Sequence, residues 1–500
     1  MTQATDSVPG HPLNSLAAGW SDTRSGNAQN LIRQLGDQLH CSYELQPPTV
    51  NAVRFSLDLS EVYLNGVGEH QRCLLVGGES EATTAALQEF WRKSGSTTLG
   101  IVFVLCASTA AWEQARRVLP AGCALILHRD QVASLLRQPE PLQILREFLR
   151  RQISRRRLSP YNIGLPATGS SFFGRVHELA QLRDNHSTGY AILGPGRIGK
   201  TSLLKRYRWL LRCMRDPRTD RVFEIDFYAL TDTTPDAIAQ HIAVTIQDSS
   251  RSRTLQAAKL VQFLRSQSGE LGGLLELLLD ETDEVCTSDA FRYLGQAAKE
   301  GHVRLILAGK KRLYDYATRP DSTLAGRLKP LRLEPLSVYD AQELVRRPLS
   351  DLGITLGNQG VEVLAWVLHQ SGRLPHLIQY YCQGLVEMTV QQCVNEITPA
   401  MLRTLEKQGE FAQYFLAPLY ELKDTPAWSL SLALLRQPRP RFVLPDLLQA
   451  AKSVSLPQDP ERVRQVCDEL VIHNILSWDG NAYRLASQAL KHFAEQAGLL

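Results

Sequence analysis

The stretch Tyr190-Ala191-Ile192-Leu193-Gly194-Pro195-Gly196-Arg197-Ile198-Gly199-Lys200-Thr201-Ser202-Leu203-Leu204 decides the fold at the centre of this chain. Its apolar opening reads as a buried strand, and its middle fits the pattern GxxxxGK[ST]. An amphipathic helix follows. Leu203, Leu204, Tyr207, Leu210 and Leu211 share one face of it, and Lys205, Arg206, Arg208 and Arg212 share the other. Strand, glycine-rich turn and helix in that order predict a phosphate-cradling loop made of Gly194, Pro195, Gly196, Arg197, Ile198, Gly199, Lys200, Thr201 and Ser202. Glycines let backbone N–H groups curl around phosphate oxygens, and the helix aims the positive end of its dipole at them. Lys200 is expected to neutralise the β- and γ-phosphate oxygens of ATP, and the Thr201 hydroxyl to bind Mg2+.

Eighty positions after Lys200 the apolar run Leu275 to Leu279 ends abruptly in Asp280-Glu281-Thr282-Asp283-Glu284. A strand that delivers acids beside a phosphate loop suits metal-assisted hydrolysis. Asp280 would hold Mg2+ through a water, and Glu281 would polarise the water that attacks the γ-phosphate. A solvated acidic loop is the plainer alternative, and Asp283 and Glu284 read as surface charges. A further run, Val303 to Ala308, ends in Gly309-Lys310-Lys311-Arg312, which puts three cations where a parallel sheet presents side chains to a ligand. Any of Lys310, Lys311 and Arg312 could sense phosphate, and the sequence does not rank them. Asp226, at the end of Val222 to Phe227, reads as structural.

These runs alternate with helices, the pattern of a parallel sheet covered on both faces. The expected fold class is α/β: a P-loop, AAA+-like parallel sheet over 159–335, a helical lid over 336–424 and a winged helix over 425–500. A small α/β domain over 26–158 precedes them, after a leader over 1–25 that is polar and without periodicity. With 44% apolar and 7% aromatic residues the composition is that of an ordinary globular protein. No apolar run of roughly 18 residues could span a bilayer, so the expectation is a cytoplasmic protein with no membrane contact. Nine scattered cysteines contain no CxxC pair, which argues against a zinc site and for reduced thiols. A net charge of +4 neither demands nor excludes nucleic acid.

Phe172-Phe173-Gly174-Arg175 with Glu178-Leu179, then Leu279-Asp280-Glu281, Ala308-Gly309 and Gly372-Arg373-Leu374-Pro375-His376-Leu377-Ile378-Gln379 together resemble the STAND ATPases, signal-transducing relatives of the AAA+ and origin-recognition ATPases. The resemblance covers roughly 160–500. It implies that Gly174, Arg175 and Pro375 flank the adenine and ribose of ATP, and that nucleotide state sets the orientation of the lid. Pro375 also suits the first position of a helix. The chain departs from the family in two places: neither His473 nor His492 reproduces the Met-His-Asp triplet of many relatives, and Gly309-Lys310-Lys311 replaces a Thr-Thr-Arg sensor.

Three partners remain open at this stage: an unidentified protein, a second copy in an ATP-dependent oligomer, and nucleic acid. Nucleic acid would use Arg150, Arg151, Arg155, Arg156 and Arg157, or Arg462 and Arg464 of the winged helix, whose neighbours Glu461, Asp468 and Glu469 oppose phosphate binding. The arginine run serves equally as a solvated helix end. The amino-terminal unit is compatible with a restriction-endonuclease-like core, but Asp58 and Glu61 lack a Glu-x-Lys partner. The function this predicts is a slow ATP-hydrolysing switch acting on a protein contact in bacterial defence or regulation. An origin-recognition-like or transposition-type DNA-binding ATPase and a non-hydrolysing, nucleotide-stabilised scaffold are the alternatives.

Overall fold

The computed structural model describes residues 26–46, 52–59, 70–77, 80–94, 101–214, 216–247, 255–478 and 481–500. The expected leader, Glu61, the side chain of Asp58 and the first two residues of the turn Asp479-Gly480-Asn481 lie outside them. In the first unit β1 (Ser42–Leu45), β2 (Ala52–Asp58), β3 (His70–Val76), β4 (Val102–Cys106) and β5 (Ala124–His128) form one sheet in that spatial order. The first three strands are antiparallel and the last three parallel. Side chains alternate between faces. Leu74, Val76, Val102 and Val104 pack against Leu87, Phe90, Ala111 and Ala115 on one side. Phe55, Cys73, Leu75, Phe103 and Leu105 pack against Leu31, Leu35, Leu145 and Leu149 on the other.

The second sheet contains β6 (Gly189–Leu193), β7 (Val222–Asp226), β8 (Leu275–Asp280), β9 (Val303–Gly309) and β10 (Leu328–Arg332), in the order β10-β6-β9-β8-β7. Every pair in it is parallel. β6, β8 and β9 are buried at every residue, which is why each reads as an apolar run, interrupted only by Glu276 and the terminal Asp280 in β8 and by Arg304 in β9. The register sets Leu193 beside Gly309 and Asp226 beside Asp280, so the loops after β6, β7, β8 and β9 leave one edge together. Two charges sit inside this sheet. Glu276 on β8 and Arg304 on β9 bond each other at 3.1 Å, and Tyr207 of the helix Lys200–Cys213, which follows β6, donates to Glu276 at 2.7 Å. Arg218 completes the network at 3.1 Å from the second carboxylate oxygen. Burial is tolerable because each charge meets an opposite one and its remaining donors find carbonyls, Leu182 O and Thr188 O.

Helices Val338–Asp351, Gly360–Ser371, Pro375–Gln391, Pro399–Glu406 and Gly409–Tyr420 follow. The last unit then runs Pro426–Leu435, β11 (Arg441–Phe442), Leu444–Ser453, Pro460–Ile472, β12 (Leu476–Trp478), β13 (Tyr483–Leu485) and Gln488–Gln496, with a small antiparallel sheet ordered β11-β13-β12. Ser337, Thr425 and Asp459 cap their helices through side-chain oxygens that accept the N–H three residues on.

The first unit is fastened to the helical region. Arg150 donates to the terminal carbonyls of Ser350 and Asp351, and Arg155 to Val394 O at 3.0 Å and to Asn395 Oδ1. Arg151 pairs with Glu147, and Arg156 lies 4.0 Å from Glu387. Arg150 and Arg155 are therefore spent on an internal joint, where the negative end of a helix attracts them. Tyr161, 5% exposed, adds a hydrogen bond to Val345 O at 2.9 Å.

Candidate functional site

The loop after β6 carries Arg197 at φ 61° and Gly199 at φ 106°, both left-handed, and the helix Lys200–Cys213 starts at once. Lys200 is 5% exposed, and its ammonium donates to Gly194 O at 3.0 Å and Pro195 O at 2.9 Å. Burial pushes its pKa down and the charge of Lys310 adds to this, while Glu281, Asp280 and Asp283 oppose it.

Asp280, 6% exposed, ends β8. Burial holds its carboxyl above the usual carboxylate range, against hydrogen bonds from the Thr201 hydroxyl and from the Glu281 N–H at 2.9 Å. Asp226, on the neighbouring strand, pushes the same way as burial. Thr201 and Asp280, 79 positions apart in sequence, are thus in contact at the head of the helix. Glu281 takes φ 50°, ψ 46°, a conformation costly for a residue with a side chain and found where a site demands it.

Asp283 is not the surface charge that its place in an acidic run suggests. Its two oxygens accept the backbone N–H groups of Lys310, Arg312 and Leu313, capping the helix Lys311–Thr318 and fixing the basic loop after β9. Glu284 is exposed and pairs with Arg312 at 3.2 Å, while Arg312 also donates to Thr287. Of the three expected phosphate sensors, Lys310 lies near enough for its charge to act on Lys200. Arg312 is occupied elsewhere, and the Lys311 side chain is outside the described set.

A cavity of about 440 Å³ opens beside Lys200 and Thr201. Such a volume suits a small-molecule ligand. Phe172, Phe173, Arg175, Glu281, Pro375 and His376 help to line it, together with the segment Asn162 to Ala167. Pro375 occupies the first turn of its helix as well as the cavity wall. Gly174 (φ 71°) lies where a Cβ would come 2.8 Å from the Asp340 carboxylate, so the missing side chain lets the helix Val338–Asp351 close in. Arg175 donates to Glu334 O at 2.6 Å, Ile198 O at 3.4 Å and Glu178 at 3.0 Å. Ser202 turns away from the loop, its hydroxyl accepting the Ala167 N–H at 2.9 Å.

Several groups that the motifs do not reveal also reach this loop. Arg197 donates to Tyr414 OH at 3.0 Å, Asn474 donates to Gly196 O at 2.7 Å, and His376 bonds the Arg197 backbone. Only His376 had a sequence signal, its place beside Pro375. Among the described residues no cluster of three or more His, Cys, Asp or Glu could hold a metal, all nine cysteines are free, and no helix is long and apolar enough to cross a membrane.

Residues 183–316 match the family model of the AAA domain. No curated protein matches the chain. Among solved structures, a Walker-type ATPase of Pyrococcus abyssi is similar at 17% identity and TM-score 0.50, over 67% of this chain and 99% of that one. The ORC2 protein of Aeropyrum pernix follows at 15% and 0.46, over 65% and 93%, and the ORC1 protein of the same organism at 14% and 0.39, over 68% and 96%. At such identities the likeness to the Pyrococcus protein is one of fold. The centre of this chain is an AAA-type P-loop domain, preceded by a small α/β sheet and followed by helices.

Proposed function

We propose that this chain is an ATP-binding, slowly hydrolysing switch of the STAND type, whose nucleotide state governs a contact with a protein partner. The observation that carries this is the convergence of Lys200, Thr201, Asp280 and Glu281 at one sheet edge beside a cavity whose far wall comes from Pro375 and His376. In this reading the N–H groups of Gly194 to Ser202 and the Lys200 ammonium hold the phosphates. Thr201 and Asp280 hold Mg2+, whose chemistry here is to offset charge on the phosphate oxygens. Glu281 orients the attacking water, and Lys310 is the phosphate sensor. Pro375 offers a rigid apolar surface to the base. Gly174 and Arg175 act from behind, through packing and the loop carbonyls, more than by touching the ribose. The units are a docking domain (26–158), the ATPase core (159–335), a lid (336–424) and a winged helix (425–500). Slow turnover follows from the need of a switch for long-lived states, with hydrolysis as its reset.

Lys200→Ala should abolish binding of ATP, and Glu281→Gln should retain ATP and stop phosphate release. Equal ATP binding by wild type and Lys200→Ala would overturn the site, and no phosphate release by wild type under any condition would leave the non-hydrolysing scaffold. A DNA-binding ATPase is the second reading, supported by the exposed Arg462 and Arg464 on the helix Pro460–Ile472. It requires DNA affinity that falls steeply with salt and drops in Arg462→Ala plus Arg464→Ala.

A further inference from the structure

Three consecutive carbonyls of the loop, those of Gly196, Arg197 and Ile198, are each met by a side chain from a different part of the chain. Asn474, just beyond the helix Pro460–Ile472, donates from Nδ2 to Gly196 O at 2.7 Å. His376, second residue of the helix Pro375–Gln391, bonds the Arg197 backbone. That bond favours the charged ring, so its acceptor is the Arg197 carbonyl. Arg175 donates from Nη2 to Ile198 O at 3.4 Å.

In a trans peptide a carbonyl and the N–H of the next residue point in opposite directions, and the chain has no cis peptide among the described residues. A side chain that pins Gly196 O therefore aims the Arg197 N–H the other way. The same holds for Arg197 O and the Ile198 N–H, and for Ile198 O and the Gly199 N–H. Three successive donors are thus oriented from behind. Left-handed Arg197 and Gly199 let successive N–H groups converge; Gly199 adopts that conformation freely, whereas Arg197 is strained there by its side chain and needs such support. The Arg197 guanidinium adds a fourth anchor, 5.4 Å from the Tyr414 ring centre and bonded to its hydroxyl.

Asn474 shows signs of being shaped for this contact. It adopts φ 57°, which asparagine tolerates better than most residues. Its Oδ1 is buried with no partner, a cost that burial of an amide for packing alone would not justify.

We infer that Asn474, His376 and Arg175 are positioning residues that clamp the back of the phosphate loop, and that Asn474 makes retention of nucleotide depend on the docking of the carboxy-terminal unit. This rests on the reading above that the loop takes ATP. A partner that draws residues 426–496 away would then release nucleotide without touching it.

The test uses the full chain and a fluorescent ATP analogue, chased with excess ATP in a stopped-flow instrument. Asn474→Gly keeps the left-handed backbone and deletes the amide. Asn474→Asp keeps the shape and turns a carboxylate on Gly196 O. Both should release the analogue roughly tenfold faster than wild type, the loss expected for one buried hydrogen bond, with association changed less than about twofold. ATP should raise the melting temperature of Asn474→Gly by less than it raises that of wild type, a difference that a purely structural role would not produce. Release within about twofold of wild type in both variants would overturn the clamp while leaving the ATP site standing. If wild type itself retains no analogue, the ATP reading falls, and the clamp with it.

Discussion

Gly372 ends the helix Gly360–Ser371 at φ 59°, and a Cβ built there would lie 1.7 Å from Ala486 O. That oxygen is backbone, bracketed by the bonds Ala486 N to Ile475 O and Ser487 Oγ to Gln370 O, so it cannot swing aside as a side chain would. Real Cβ atoms stay at least 3.0 Å from such neighbours, so Gly372→Ala must push the carboxy-terminal unit off the helical region by more than about 1 Å. Two costs add: about 1–2 kcal/mol for a left-handed alanine and about 1–3 kcal/mol for the overpacking. Gly272 supplies the control. It is left-handed too (φ 70°), but nothing lies within 4 Å of its Cβ position, so Gly272→Ala carries the backbone cost alone. Hydrogen exchange followed by mass spectrometry separates the two. Gly372→Ala should speed exchange in 475–487 by roughly tenfold or more, and Gly272→Ala should leave that segment unchanged. Equal protection of 475–487 in both variants would refute the claim that close approach at this glycine holds the last unit in place.

Two further outcomes follow from the joints around the site. Arg150→Ala combined with Arg155→Ala removes the bonds to Ser350, Asp351, Val394 and Asn395; protease cleavage at 159–168 should rise, while the first unit alone keeps its helix and strand content by circular dichroism. Burial and the nearby Arg197 charge hold the folded pKa of His376 at about 3, against 6.5 when free. Between those values the unfolded chain binds the extra proton, so stability should fall as pH drops from 7 to 5, by up to about 2 kcal/mol. Thermal melts of wild type and His376→Gln across that range check this, with the slope smaller in the variant.

What the sequence revealed depended on how local the cause was. β6, β8 and β9 are covered on both faces, so burial itself writes a mostly apolar run, and the phosphate loop declares itself in nine adjacent residues. β10 escaped because it is an edge strand of mixed exposure with Pro330 in it, which an edge tolerates and a central strand does not. β1 and β11, at four and two residues, are too short to alternate. The helix Gly409–Tyr420 did carry a helical stripe, Phe411, Phe415, Leu416 and Leu419, but Gly409 and Pro418 at its ends read as breakers. Asp283 was misread for a different reason. Its partners are N–H groups at the start of a helix, the first of them 27 positions later, and backbone donors leave no trace in residue identity. Asn474 and Gly196 meet across 278 positions under the same handicap.

The bonds around the cavity also fix which parts would travel together. From Arg150 to Asn162 the first unit gives its hydrogen bonds to the helical region: Arg150 to Asp351, Arg155 to Val394, Tyr161 to Val345 and Asn162 N–H to Gln379. The sheet core receives the Ala167 N–H at Ser202. The core meets the helical region and the last unit through Arg197 to the Tyr414 hydroxyl and Gly196 O to Asn474, and through one apolar cluster that holds Ile198 and Leu333 with Leu344 and Leu374. Single hydrogen bonds are each worth about 1 kcal/mol net, and parting either the core or the first unit from the helices also uncovers apolar side chains, Ile198 and Leu333 in one case and Leu158 in the other. In the proposed switch, Asn162 to Ala167 are the segment that links residues 26–158 to the wall of the cavity.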